Sequence, residues 1–120
     1  ACRESTLADP ARRVLVAADG ADTVLTRIFD VALGYPWPPS IPERVIRNSF
    51  TDSWDGRECD LAGEPSAVAE LRSAIADQDY RWAPVNAGQG VADVTGIEPV
   101  ADVIARLCEQ ARELVARRPS

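Results

Sequence analysis

The sequence predicts a mostly helical chain with a few short strands at most. Of its 120 residues, 46% are apolar and 27% are charged, which is typical of a folded globular chain. Two stretches, residues 65–77 and 100–115, carry apolar side chains at the spacing of an amphipathic helix. In the second stretch these side chains are Val100, Val103, Ile104, Leu107, Cys108, Ala111, Leu114 and Val115.

The first element along the chain is a predicted helix over residues 10–18. Asp9 is expected to cap its free amides, Pro10 suits the first helical position, and Gly20 is expected to end the helix. Residues 23–29 follow with β-branched and aromatic side chains, which predicts a strand.

Residues 34–39, GYPWPP, form a predicted irregular loop. Three prolines within four positions remove amide donors and disfavour helix in the residues that precede them. In isolation, such a loop could itself be a ligand that a proline-recognising module binds. Because its flanks are predicted to fold, we favour a stiff connector in which Trp37 packs as an anchor.

Helices are predicted next over residues 42–48 and 51–61. In the second helix Asp52, Asp55 and Glu58 recur every third residue and share one helical face. Carboxylates in pairs perform acid and base chemistry when their surroundings push their pKa values apart. Nothing in the sequence indicates such surroundings, and the neighbouring arginines favour a solvated acidic face instead.

The predicted helix over residues 65–77 is followed by a short candidate strand, residues 82–85, and by a glycine-containing turn. Gly88 and Gly90 form a G-x-G pair that invites comparison with a dinucleotide-binding loop. Asp93 stands where the third glycine of that motif belongs. The pair therefore favours a turn or a helix start that uses the backbone freedom of glycine.

Composition disfavours several classes of function. A formal net charge of -6 and dispersed arginines oppose binding to nucleic acid. No apolar stretch reaches the roughly 20 residues of a membrane span, and we predict a cytoplasmic protein. Cys2, Cys59 and Cys108 are widely spaced and the chain has no histidine, so free thiols are expected rather than a metal site or an activated cysteine nucleophile.

Two runs of sequence carry a family resemblance: DTVLTRIFDVALGYPWPP at residues 22–39 and RNSFTDSWDGRE at residues 47–58. Together they closely resemble the C-terminal region of the nitronate monooxygenase family, also called 2-nitropropane dioxygenases. The resemblance implies a parent α/β fold, a TIM-type barrel with a small inserted domain. It makes residues 1–21 the end-of-barrel segment, residues 22–83 the small substrate-covering domain, and residues 84–120 the return turn and final barrel helix.

The resemblance implies an FMN-dependent oxidoreductase, a flavoprotein monooxygenase in which O2 oxidises an alkyl nitronate to a carbonyl compound and nitrite. The family's flavin-binding loops and catalytic histidine lie upstream of this region, so we assign no catalytic residue and expect no activity from the chain alone. A histidine that often occupies the position of Asp55 in the family is absent here. The implied partners are the missing N-terminal barrel and a small-molecule nitronate. The lack of methionine adds the expectation that the sequence is an incomplete reading of a longer gene.

The same resemblance places the run PVNAGQGV, residues 84–91, near the flavin. Gly88 and Gln89 are therefore the predicted cofactor contacts, since glycine permits close backbone approach and the glutamine amide both donates and accepts. Two alternatives stay open. One is a non-catalytic helical interaction module; the other is a flavin-type enoyl-acyl-carrier-protein reductase, which shares the barrel and a similar Ala-Gly-Gln turn.

Overall fold

The computed structural model describes residues 1–117; residues 118–120, the end of the predicted final segment, lie outside the described part. The prediction of a mostly helical chain with short strands is confirmed for the described residues. In chain order the elements are α1 (Asp9–Ala17), β1 (Thr23–Thr26), α2 (Ile28–Leu33), β2 (Glu43–Ile46), α3 (Ser49–Trp54), α4 (Glu58–Leu61), α5 (Pro65–Ala76) and α6 (Val100–Ala116). Two 3-10 turns, Gly20–Asp22 and Gln89–Asp93, complete them.

The two strands pair in an antiparallel sheet, with Thr23 opposite Ile46 and Thr26 opposite Glu43. A third run of backbone lies along the free edge of β2. There the Ile46 amide donates to the Val85 carbonyl at 2.9 Å and the Ala87 amide donates to the Arg44 carbonyl at 3.1 Å. The predicted strand at residues 82–85 is therefore wrong: the bridge to β2 pairs Val45 with Asn86, and the Trp82 and Ala83 amides donate to the Asp79 carbonyl in a turn.

The sheet separates two hydrophobic clusters, because alternate side chains of a strand point to opposite faces. Val24 and Val45 face the larger cluster, in which the rings of Phe29 and Phe50 stack at 5.1 Å. Its buried members are Val24, Ile28, Phe29, Ala32, Val45, Phe50, Leu61, Ala67 and Leu71. The smaller cluster on the other face contains Ala11, Ile46, Val85 and Val91.

The predicted helix over residues 42–48 is wrong, because this segment forms β2 at Glu43–Ile46. Its β-branched Val45 and Ile46 suit a strand, and pairing with β1 outweighs weak local preferences. The predicted strand over residues 23–29 stops at Thr26, whose side-chain oxygen accepts from the Ile28 amide as α2 begins.

The predicted single helix over residues 51–61 is two short helices, α3 and α4. Gly56 lies between them with a φ of 78°, a left-handed conformation that ends the first helix and redirects the chain. Asp52, Asp55 and Glu58 therefore do not share one continuous helical face, which corrects the predicted stripe.

The predicted first helix is present, with shifted ends. Asp9 is inside α1 rather than its N-cap, and its carboxylate pairs with Arg12 at 3.1 Å instead of capping an amide. The helix ends at Ala17, before Gly20. Gly20 belongs to the following 3-10 turn, where its backbone lies against the carbonyl of Gln89 so closely that a Cβ would sit 2.5 Å from that oxygen.

The two strongest predicted helices, α5 and α6, are confirmed with small shifts at their ends. On α5 Leu71 is fully buried, whereas Ile75, predicted on the same apolar stripe, is 39% exposed. No residue of α6 is buried. The helix is preceded by a short parallel pairing in which the Arg3 amide donates to the Glu98 carbonyl at 2.8 Å.

None of the helices described over residues 1–117 combines the length and the apolar character required to cross a bilayer. The division into segments 1–21, 22–83 and 84–120 stays a prediction.

Candidate functional site

The predicted cofactor contacts lie on the surface. Gly88 and Gln89 are exposed at the start of the second 3-10 turn, where Gly88 has an extended backbone with φ at -77°. A Cβ on Gly88 would meet nothing within 4 Å. The turn therefore leaves room for a ligand that approaches from outside.

A cavity of about 380 Å³ lies a few residues away, between α2, the proline-rich loop and the segment before Asn86. We call it the acidic cavity, after the carboxylates Asp30 and Glu43 in its wall. Its lining also includes Phe29, Leu33, Tyr35, Trp37, Ile75, Tyr80, Ala83, Pro84 and Asn86. A shallower depression of about 250 Å³ adjoins it and shares Asp30, Trp37, Glu43 and Asn86.

Asp30 is the most buried charged group of the acidic cavity, with only 5% of its surface exposed. It stands in the first turn of α2, where the partial positive charge of a helix start favours a carboxylate. Among the described residues its carboxylate forms no ion pair and no hydrogen bond. Asp30 therefore presents an acceptor to the cavity that no described group uses.

Glu43 lies at the start of β2, and its side chain reaches the same cavity. Asn86 donates from Nδ2 to Glu43 Oε2 at 2.9 Å, which links β2 to the run of residues 85–87. The other oxygen, Oε1, is buried without a hydrogen-bond partner in the described residues.

Burial raises the pKa of Glu43 above its ordinary value, and the nearby negative charge of Asp30 raises it further, while the hydrogen bond from Asn86 acts in the opposite direction. Two carboxylates, one of them made more basic in this way, can hold a cation or exchange a proton with a bound group.

Aromatic rings form the outer wall of the acidic cavity. Tyr35 and Trp37 belong to the proline-rich loop and are 56% and 57% exposed, while Tyr80, also in the cavity lining, is half-buried. The prediction that this loop is irregular is confirmed, since residues 35–38 form no helix or strand. The prediction that Trp37 is a packed anchor is wrong, because its ring lines the cavity mouth.

The carboxylates singled out from the sequence do not form a site. Asp52 and Asp55 are exposed on either side of the end of α3, so the solvated interpretation fits them. Arg57 does not neutralise these carboxylates. Its Nε donates to Asp60 at 3.1 Å, and its guanidinium lies 4.9 Å from the centre of the Trp54 ring. These contacts are confined to the surface.

Within residues 1–117 no three histidine, cysteine or acidic side chains come together as a metal site. The thiols of Cys2, Cys59 and Cys108 are free, and the last two are exposed.

The acidic cavity does not fit FMN. Its two carboxylates would repel a phosphate, and no glycine-rich run of backbone amides lies in its wall to hold one. The turn at Gly88 and Gln89 is exposed, so it is accessible to a cofactor held elsewhere. No step of a flavin reaction is therefore assigned to the described residues.

Asp30, Glu43 and Asn86 were not predicted as site residues. One signal for Asp30 is present in the sequence: it is the only charged residue in the run IFDVAL, and an acid within an apolar run is seldom buried without a role. Glu43 and Asn86 carried no such signal, because they are 43 positions apart.

No protein-family profile matches the chain, and no curated protein matches it. Two solved structures are similar to it over 97% of its length. One is FabK from Thermotoga maritima, with 25% sequence identity and a TM-score of 0.70; the other is a point mutant of that protein, with 23% identity and a TM-score of 0.62. The chain spans about a third of the length of these proteins, 35% and 31% respectively.

Proposed function

We propose that this chain is the C-terminal portion of a flavin-dependent oxidoreductase related to the 2-nitropropane dioxygenases. The observation that carries the proposal is the match to FabK, which extends over nearly the whole chain. FabK is a flavin-dependent enoyl-acyl-carrier-protein reductase of the 2-nitropropane dioxygenase-like family. The sequence resemblance and the structural likeness thus support the same family.

The proposed reaction of the complete enzyme is the oxidation of an alkyl nitronate by O2 to a carbonyl compound and nitrite. The support for this substrate is the sequence run from residue 22 to residue 39, in particular its Pro-Trp-Pro segment. FMN, held by a TIM-type barrel outside this chain, would supply the electron transfer. The partner of the chain is then the barrel itself.

Reduction of an enoyl thioester is the second candidate function, and the likeness to FabK favours it. Fold likeness does not decide the substrate, since one barrel hosts many chemistries. In both candidates the barrel holds the same cofactor and the small domain of this chain covers the substrate.

In either enzyme Gly88 and Gln89 are the proposed contacts of this chain with the flavin. Their exposure and the open space around Gly88 support this assignment, because a cofactor bound to the barrel would have to approach the turn from outside.

The proposal is tested first on the chain and then on the complete protein. The purified chain is expected neither to bind FMN, measured by quenching of flavin fluorescence, nor to consume propionate 3-nitronate. The complete protein is recovered by extending the reading of the DNA upstream. It is expected to contain glycine-rich loops and a histidine, to bind FMN, and to turn over the nitronate with O2 faster than an enoyl thioester with NADH.

Three results would contradict the proposal. Preference for the thioester would replace the first substrate class by the second. An upstream sequence without a barrel would favour the non-catalytic module. Unchanged FMN affinity and turnover after Gln89→Ala in the complete protein would remove the proposed contact.

A further inference from the structure

The proposed flavin chemistry assigns no role to the acidic cavity. Two carboxylates nevertheless lie together in its wall. Asp30 and Glu43 lie on its wall close enough for the charge of one to raise the pKa of the other. Buried carboxylates in proteins are normally paired with a cation or fully hydrogen-bonded. Here none of the ion pairs within residues 1–117 includes either residue.

Each carboxylate has an unused acceptor. Asp30 is a buried residue, with 5% of its surface exposed, and it lines both the cavity and the adjoining depression. Its carboxylate accepts no hydrogen bond from the described residues. Oε1 of Glu43 is buried with no partner among the described residues, although Oε2 accepts from Asn86. Two acceptors in one concave site indicate a ligand that donates hydrogen bonds or carries positive charge.

The rest of the wall indicates what kind of cation fits. Tyr35, Trp37 and Tyr80 place aromatic rings around the mouth of the cavity. The face of an aromatic ring attracts an organic cation, and tryptophan does so most strongly. A volume of about 380 Å³ lies in the ordinary range for small-molecule sites.

A hard metal ion fits this site less well. Calcium takes six to eight oxygen ligands and magnesium a near-octahedral set. The cavity offers two carboxylates and one side-chain amide, and aromatic rings fill much of the remaining wall.

We propose that the acidic cavity binds an organic cation, an alkylammonium or quaternary ammonium group held by Asp30 and Glu43 and covered by the rings of Tyr35, Trp37 and Tyr80. The cation belongs either to a free small molecule or to a basic side chain of the polypeptide that FabK has and this chain does not span. The proposal does not depend on the identity of the flavin reaction.

The test uses choline and its uncharged isostere 3,3-dimethylbutan-1-ol, titrated into the 120-residue chain and followed by two-dimensional NMR. Choline is expected to bind at least about tenfold more tightly than the alcohol, since the isostere keeps the shape and loses the charge. The resonances that shift are expected to be the Trp37 indole and the Asn86 side-chain amide. Equal affinity for the two probes would overturn the proposal.

Three variants make the result specific. Asp30→Asn is expected to weaken choline binding about tenfold, while Asp52→Asn, which changes the net charge equally at an exposed site, should leave it unchanged. Trp37→Leu on the exposed loop spares the hydrophobic clusters and is expected to weaken binding several-fold. Binding that is unaffected by both Asp30→Asn and Trp37→Leu would place the cation elsewhere and overturn the proposal.

Repeating the titration on the complete protein separates the two sources of the cation. A free small molecule leaves the cavity accessible, so choline binds the complete protein as well as the chain. A basic side chain of the remaining polypeptide would occupy the cavity, so choline binds the chain and not the complete protein. Absence of binding to both proteins, with the chain shown by circular dichroism to be folded, would overturn the proposal.

Discussion

At the scale of single residues, two buried or half-buried polar side chains, Asn48 and Asp30, differ in how they are satisfied. Asn48 joins distant segments: its Oδ1 accepts from the amides of Phe50 and Thr51 at 3.1 and 3.0 Å and caps α3, while its Nδ2 donates to the Ala83 carbonyl at 2.9 Å. The carboxylate of Asp30, by contrast, accepts no hydrogen bond from the described residues. The Asn48 bonds stabilise the fold, whereas the Asp30 oxygens are free to accept from solvent or from a ligand in the acidic cavity.

Gly20→Ala is expected to destabilise the chain by about 1 to 3 kcal/mol, because its Cβ would sit 2.5 Å from the Gln89 carbonyl oxygen and one backbone must move. Gly88→Ala is the matched control. Its Cβ meets nothing within 4 Å and its backbone is extended, so a change within about 1 kcal/mol, in the stabilising direction, is expected. Urea unfolding of both variants checks the pair; equal losses would show that the two turns do not pack as described.

Glu43→Gln is expected to stabilise the chain at neutral pH. Because the folded-state pKa of Glu43 is raised, the folded state binds the proton more strongly than the unfolded state. The contribution of Glu43 to stability is then greatest below its ordinary pKa of 4.5 and is lost as pH rises from there through the raised value. The variant mimics the protonated side chain, so its advantage in Tm should grow over that window and then level off.

Glu98→Gln is the control, because the pKa of Glu98 is shifted in the direction opposite to that of Glu43. The hydrogen bond from Arg106 lowers the pKa of Glu98, so the wild-type residue contributes stability at neutral pH that is lost as pH falls through the lowered value. A Glu43→Gln variant that melts below the wild type at neutral pH would contradict the described burial.

At the scale of elements, the helices differ in what they bury. Leu71 on α5 is fully covered by the larger cluster, whereas on α6 Ile104 is 55% exposed and Leu107 58% exposed. An amphipathic helix whose apolar stripe faces solvent gains little from burial. Without a covering surface, such a helix must fold back on the chain, pair with another chain or aggregate. In the described structure α6 does not fold back, since none of its residues is buried.

Leu107→Gln is expected to change the stability of the chain by no more than about 0.5 kcal/mol, because the side chain is exposed and the two residues have similar helix propensities. Leu71→Ala, in the larger cluster, is expected to cost about 2 to 5 kcal/mol. Chemical unfolding of both variants measures the contrast. A loss above about 1 kcal/mol for Leu107→Gln would show that α6 packs on the chain in solution.

The sequence predicted the long helices α5 and α6 because their apolar periodicity extends over several turns. It failed at β2, where a four-residue strand depends on pairing with Thr23–Thr26 rather than on local preference. The acidic cavity was not predicted from the sequence, for a related reason. The contact between Glu43 and Asn86 is made by the path of the backbone along β2, which no local pattern specifies.

At the scale of the whole molecule, the described residues extend over 58 × 32 × 23 Å, with no residue of α6 buried. The clusters on the two faces of the sheet hold the remainder together, and the likeness to FabK covers both of them along with α6. The proposed function gives α6 its partner, the barrel. It leaves the acidic cavity as a site that this chain builds from its own residues.

The sheet with a cluster on each face has a consequence for energetic coupling. Val45 and Ile46 are neighbours in the sequence, yet they contribute to different clusters. The free-energy losses from substitutions at Leu71 and Val91, one in each cluster, are therefore expected to add, whereas losses from two substitutions within one cluster are expected to depart from additivity. The acidic cavity draws on both clusters, since Phe29 of the larger cluster and Tyr80, which packs against the smaller one, both lie in its wall.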